Sequence, residues 1–409
     1  MDFEKRFRDA VKPHHRTHVI LEEYSRSGRA AISETDLVEA ASFALLLKNA
    51  TDTHSLDRLR LSDTNKRPAE DVLTEESVVV SAVGMSRNDI APLETVKRSA
   101  HGPYQFKMTE KNGFVTPEVN YDADNEKRFS RAGWVSERLN ALDVALSQGA
   151  QIITFGETDF PPLGTNLEEE SYLTKLQARI DAVERPVFLV AGTRHDHFEH
   201  SECHNRARIL VNSALQSLKR TDLENGPILH SKLYSAERAG EKISVPTRPR
   251  VRYYETVLGN IAVLICVDAY SPAVLMSALA SRAIRGRDQI DFILVPSYNE
   301  SPKLYYSCQV LSLLSGSVVV LADACSQRND KPAETAIFIG GRLFSDLLDD
   351  RNSDLVPCGE FISSAPHKPV RSCKLSLDYL REVRAREQAV TPFVNTVSQA
   401  FMRHDLRAF

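Results

Sequence analysis

Apolar residues in this chain gather into short blocks separated by polar and glycine-containing stretches. Val78–Val83, Ile152–Phe155, Pro186–Thr193, Asn205–Val211, Asp291–Ser297 and Ser317–Asp323 each read as a buried strand. Val251–Val257 and Ile261–Cys266, joined by Leu-Gly-Asn, read as a hairpin, and Ala336–Phe344 and Ser372–Leu377 supply late strands. A different period appears around Trp134–Gln148. There Ala132, Val135, Leu139, Leu142 and Leu146 recur at steps of three, four and seven, an amphipathic helix closed by Gly149. Nearer the N-terminus, Ser33-Glu-Thr-Asp36 fits a capped helix start with the stripe Leu37, Ala41, Ala44 and Leu45 behind it. The pattern predicts a helical N-terminal extension over 1–50, a polar linker over 51–77, a mixed α/β domain over 78–392 and a tail over 393–409. The extension is expected to pack over the domain or to dock another protein, and to supply no reacting group.

Composition narrows the class without naming it. The chain has 409 residues, 42% hydrophobic and 26% charged, as expected of a globular protein. A formal net charge of −4 gives no footprint for nucleic acid or an anionic membrane surface. No apolar run approaches the ~18 residues of a membrane helix, and the first residues lack an apolar signal core. Six cysteines are scattered without Cys-x-x-Cys pairs, so reduced thiols and a cytoplasmic location are expected.

Candidate chemistry sits where strands end. The apolar run Ile261–Ile265 stops on Cys266, and Asp268, Ser271 and Pro272 follow as turn and helix-start residues. A thiol at such a junction can use helix N-terminal amides to favour thiolate and to bind a developing oxyanion. The plain alternative is a small buried hydrophobe. In the same way Ile152–Phe155 runs through a glycine into Glu157, and Ile228–Glu237 places Lys232 among apolar and aromatic neighbours. A solvated loop carboxylate and a surface lysine are the plain readings of these two.

In the order Glu157, Lys232, Cys266, and in these contexts, the three resemble the catalytic set of the nitrilase superfamily, the carbon–nitrogen hydrolases. The succession of strands from Val78 onward resembles the family too, and Leu377–Arg384 resembles its closing segment. The resemblance implies a four-layer α-β-β-α sandwich. It also implies an amidase-like hydrolase of a non-peptide C–N bond, acting on a small-molecule amide or nitrile through a covalent thioester, with no metal or organic cofactor. Cys266 would be the nucleophile and Glu157 the proton shuttle. Lys232 and the backbone N–H of Val267 would hold the oxyanion, and the ammonium would lower the thiol pKa. A second acidic residue, Glu241 or Glu237, would orient the lysine or the substrate. The helices after the cysteine would pair two copies into a homodimer. Val267 stands where nitrilases carry Trp, which favours an amide substrate. The family's Arg and terminal Glu after the cysteine are missing from Val267–Ala273, so its familiar substrates do not carry over. The second reading is a weak or inactive member of the fold, a sensor or scaffold working with a partner protein through its N-terminal helices.

Arg194–His204 also holds His195, His197, His200, Cys203 and His204. Imidazole and thiolate are zinc ligands, but the spacing matches no standard finger. A loop between strands that lines the pocket or meets a partner is the expectation here, with metal binding and plain surface as the other readings.

Overall fold

The computed structural model describes residues 57–61, 77–83, 104–111, 113–121, 131–161, 166–198, 202–215, 227–236, 241–246, 251–270, 290–298, 302–323, 335–340, 342–344, 359–363 and 370–376. The expected N-terminal helix, Glu237, His200, the segment after Tyr270 expected to pair two copies, and the closing segment and tail lie outside them.

Two seven-stranded sheets make up the body. The first contains, in chain order, β1 (Asp57–Arg60), β9 (Arg252–Thr256), β10 (Gly259–Val263), β11 (Phe292–Ser297), β12 (Val318–Asp323), β13 (Ala336–Ile339) and β14 (Arg342–Leu343), which is also their spatial order. The second runs β15 (Gly359–Ser363), β16 (Val370–Ser376), β2 (Ser77–Val83), β5 (Ile152–Phe155), β6 (Phe188–Phe198), β7 (Glu202–Val211), β8 (Ile228–Ser231). Each sheet has three parallel strands at its centre, β10-β11-β12 and β2-β5-β6, flanked by antiparallel neighbours. Strands of this kind are covered on both faces. That is why they read as continuous apolar runs without alternation.

Alternate residues show what covers them. Val80, Ile152 and Val190 of the second sheet pack against Ile261, Leu294 and Val320 of the first. The intervening residues face outward. Ile153 and Leu189 meet Leu142 and Ala145 of α1 (Arg131–Ser147) and Leu176 and Ile180 of α2 (Asn166–Asp181). Ile293 and Val319 meet Leu304 and Leu311 of α3 (Pro302–Ser315). Fully burying one such aliphatic side chain contributes about 1.5–3 kcal/mol. None of the described helices is long and apolar enough to cross a membrane.

Two stretches differ from expectation. Within the residues expected to be a polar linker, Asp57–Arg60 form β1, parallel to β9, and Leu61 is fully buried. Only Leu59 and Leu61 alternate there, too short a signal to stand out from the polar run. Between β2 and α1 an additional hairpin appears, β3 (Tyr104–Lys111) with β4 (Phe114–Tyr121). Its turn carries Asn112-Gly113, the dipeptide suited to a tight hairpin, and Gly113 has φ 80°.

Candidate active site

Parallel strands deliver their carboxyl ends to one side of a sheet, where loops can converge. Here β5 leads into Glu157, β10 into Cys266 and β11 into Tyr298. The two sheets are joined at this end. Glu157 N–H donates to the Ser297 carbonyl at 3.0 Å, and Tyr298 N–H donates to Glu157 Oε2 at 3.1 Å. The Tyr298 carbonyl lies 4.0 Å from Cys266 Sγ. Lys232 follows β8, at the edge of the second sheet, and its N–H donates to the Asn205 carbonyl at 2.8 Å.

The structure therefore brings Glu157, Lys232, Cys266 and Glu241 together, all of them buried. Lys232 Nζ donates to Glu157 Oε1 at 2.7 Å and to Glu241 Oε2 at 2.9 Å. An ammonium has three N–H donors, and these two bonds leave one for another acceptor. Burial alone would lower the Lys232 pKa, but Glu157 and Glu241 outweigh it and hold the group charged, well above its usual value. For Glu241, burial would raise the pKa. Lys232 and His195 reverse that and hold it well below the usual carboxylate range. Glu241 also accepts the Ala236 N–H at 2.8 Å.

The thiol departs from expectation. Burial, then the Glu157 carboxylate beside it, push the Cys266 pKa well up, against the downward pull of Lys232. The resting sulfur is thus a neutral thiol beside a carboxyl group. Cys266 opens a 3-10 turn, Cys266–Tyr270, with Val267 as the next residue. Its φ of 49° lies in the left-handed region, where a non-glycine residue must be held by its surroundings.

Several supporting residues have partners that the sequence did not reveal, although His195 falls in the segment expected to line the pocket. Asn205 donates from Nδ2 to Glu157 Oε1 at 2.8 Å and more weakly to Glu241 Oε1 at 3.4 Å. His195 Nε2 lies 2.8 Å from Glu241 Oε1. Arg138 on α1 donates to Asp159 Oδ1 at 2.7 Å and to the Asp159 carbonyl at 3.1 Å, and Asp159 Oδ2 accepts the Gly156 N–H at 2.9 Å. That clamp fixes the loop on either side of Glu157. The loop also needs a glycine opposite it: a Cβ on Gly192, φ 89°, would fall 2.6 Å from Phe160 N. Arg138 falls on a helical position between the apolar stripe residues Val135 and Leu139, which was the one available hint.

The histidine-rich segment is corrected. Its described residues are strand and not loop: β6 and β7 pair there, Asp196 opposite His204 and His197 opposite Cys203, and His195 lies against Glu241 as a pocket-lining residue would. Among the described residues no three His, Cys, Asp or Glu side chains gather into a metal-holding group.

No protein-family model and no curated protein matches the sequence. The chain is similar in structure to Saccharomyces cerevisiae Nit3, a member of branch 10 of the nitrilase superfamily, at 12% identity and TM-score 0.46, covering 76% of this chain and 94% of that one. A CN-hydrolase superfamily protein of Xanthomonas campestris, with an arsenic adduct in its active site, gives the same identity, TM-score and coverage, 12%, 0.46, 76% and 94%. A cysteine-to-alanine mutant of a nitrilase-superfamily amidase from Nesterenkonia AN1 is similar at 14% identity and TM-score 0.42, covering 63% of this chain and 90% of that one.

Proposed function

We propose that the protein is a cysteine-dependent hydrolase of a non-peptide C–N bond, amidase-like, on a four-layer α-β-β-α sandwich of nitrilase type. The observation that carries this reading is the buried cluster of thiol, carboxylate and ammonium at the carboxyl ends of strands from both sheets. An amide carbon is a poor electrophile, so its hydrolysis requires a strong nucleophile, a proton shuttle and donors for the oxyanion. Each has a candidate within this cluster.

In the proposed cycle Cys266 Sγ attacks the carbonyl carbon while its proton passes to Glu157. The uncommitted N–H of Lys232 and the backbone N–H of Val267 hold the oxyanion. Glu157 returns the proton to the leaving amine, the C–N bond breaks, and a thioester remains on Cys266. A water molecule, deprotonated by Glu157, attacks the thioester. The carboxylic acid departs and the proton returns to sulfur. The raised thiol pKa suits this scheme, because the thiolate then forms only as attack begins. Glu241 orients Lys232, and without it the ammonium would swing toward Glu157 alone.

The test is intact-mass spectrometry of the protein exposed to a panel of amides and nitriles. An acyl adduct on Cys266, absent from Cys266→Ala, is the expected result. No adduct and no released amine from any member, with a thiol no more reactive toward p-nitrophenyl acetate than a denatured control, would overturn the reading. The same reading makes the protein a homodimer through the segment after the cysteine, and sedimentation as a monomer at micromolar concentration would count against that part.

A further inference from the structure

We propose that Asp268 is a positioning residue that locks the Lys232 loop to the turn carrying Cys266, so that ammonium and thiol keep one relative placement during acylation. The inference rests on the hydrolase reading above and adds a residue that this reading does not use.

Asp268 lies two positions past the thiol and is fully buried. A carboxylate that merely capped the following turn would accept N–H groups ahead of it in the chain. This one reaches backward and across. Oδ1 accepts the Leu233 N–H at 3.0 Å and the Tyr234 N–H at 2.9 Å. Oδ2 accepts the Ile265 N–H at 3.0 Å and shares the Leu233 N–H at 3.1 Å. The backbone of Asp268 closes the same junction, its N–H donating to the Ile265 carbonyl at 3.1 Å. Leu233 is the residue after Lys232, and Ile265 is the residue before Cys266. One side chain therefore ties together the peptides adjoining both reacting groups, which come from different sheets. No described strand pairing does this, since β8 and β10 sit in separate sheets.

Two further observations support the assignment. Cys266 has the left-handed φ of 49° that its surroundings must maintain, and the bond to Ile265 N–H holds the residue just before it. Burial pushes the Asp268 carboxyl up to about 7, with the Lys232 ammonium and the three N–H donors pulling it back toward the charged form. A carboxylate is therefore kept in an environment that disfavours it, which an apolar side chain would have avoided.

The test separates placement from stability by using two reagents on the same thiol. Acylation by p-nitrophenyl acetate passes through an oxyanion that Lys232 must meet. Sulfur attacks the ester carbonyl, p-nitrophenolate leaves, and the thiol proton goes to Glu157. Alkylation by iodoacetamide displaces iodide and forms no oxyanion. Asp268→Asn keeps the size but sets an NH₂ against backbone donors. We expect it to slow acylation by roughly 10²-fold, the cost of a small misplacement of a catalytic group, while alkylation per folded molecule changes little. A purely structural role would leave both rates per folded molecule, and so their ratio, unchanged. An unchanged acylation-to-alkylation ratio in folded Asp268→Asn would overturn the inference. If the wild-type thiol fails to acylate at all, the hydrolase reading fails instead. If the variant does not fold, amide hydrogen exchange in the wild-type protein decides. Protection of Leu233, Tyr234 and Ile265 comparable to central-strand amides supports the lock, and exchange of Leu233 and Tyr234 at exposed-loop rates removes it.

Discussion

Strands β6 and β7 carry two charge clusters, one on each face, and the clusters differ in charge balance, in burial and in what lies beside them. On the outer face, toward α2, Arg208 donates to Asp196 at 2.7 Å, to Glu169 at 3.1 Å and to the Arg206 carbonyl at 3.0 Å, with the Phe160 ring 4.9 Å away. Arg194 meets Glu169 at 2.8 Å and Asp196 at 3.1 Å. Two guanidinium groups face two carboxylates, and the charges balance. On the opposite face, one residue along β6 and three along β7, His195 and Asn205 meet Glu241 and Glu157, which flank Lys232. Here a single ammonium serves two carboxylates, keeps one donor uncommitted and sits beside a thiol. Some burial of charge is common to both clusters, so burial alone does not mark a reactive site. What sets the inner cluster apart is a buried ammonium donor left over beside a thiol.

The sharpest break between the two faces is expected at the thiol itself. Cys266→Ala should remove every covalent adduct and all turnover. Thermal stability should stay close to wild type, because a thiol-to-methyl change removes little volume from a site that is already buried. Adduct formation persisting in this variant would move the chemistry to another residue. Glu157→Gln comes next. Loss of the proton shuttle is worth about 10²–10⁴-fold, and it should act most on deacylation, so acyl-enzyme should accumulate in quenched mass spectra. Steady-state turnover at the wild-type rate would remove Glu157 from the mechanism.

The outer cluster should respond in the other currency, stability. Arg208→Met leaves Asp196 and Glu169 facing one guanidinium instead of two. Breaking a buried pair from one side costs on the order of 3–5 kcal/mol, and the lower end applies because Glu169 keeps 16% side-chain exposure. Acylation of Cys266 per folded molecule should remain within about twofold, the difference between the faces that this contrast implies. Urea unfolding together with a p-nitrophenyl acetate burst tests both halves. A folded Arg208→Met protein with a slow burst would mean that the two clusters are coupled through the strands.

How much of this was legible beforehand follows the reach of each interaction. Cys266 and Glu157 close apolar runs, and those runs are local and continuous, so the strands and the residues ending them could be read directly. Lys232 was placed by its neighbours in sequence. Asn205 and Arg138 were not, because they act on partners 48 and 21 positions away; His195 lies in a segment expected to line the pocket, but its partner, 46 positions away, was out of reach of any local pattern. Asp268 was read as a turn residue; its partners across 34 and 35 positions lie beyond any local pattern. The thiol pKa failed for a related reason. Lys232 and the helix-start amides were the influences in view, while burial and Glu157, both consequences of the fold, act more strongly. β1 and the β3–β4 hairpin went unread because half-polar strands resemble polar loops until their partners are known.

The smallest effect, and the finest test of the comparison, is expected at His195. It touches the inner cluster at its edge, 2.8 Å from Glu241 Oε1, while Lys232 and the Ala236 N–H bond Oε2. Those bonds remain in His195→Gln, so acylation of Cys266 should change by only a few-fold, well below the loss for Glu157→Gln. The acid side of the stability curve should move instead. Burial works to raise the Glu241 pKa, but Lys232 and His195, with the Ala236 N–H, hold it below its ordinary value of 4.5. A depressed carboxylate contributes stability at pH values above its unfolded pKa, and that stability is lost as pH falls through the folded pKa. Removing His195 lifts one of the influences holding Glu241 down, so less of this stability remains. The loss should be complete at pH 7, about 1 kcal/mol for the hydrogen bond, and should fade as Glu241 protonates, and the less stable protein should reach its acid-unfolding midpoint a fraction of a pH unit higher. An acid-unfolding curve superimposable on wild type would place His195 outside the inner network, as a neighbour that merely fills space beside Glu241.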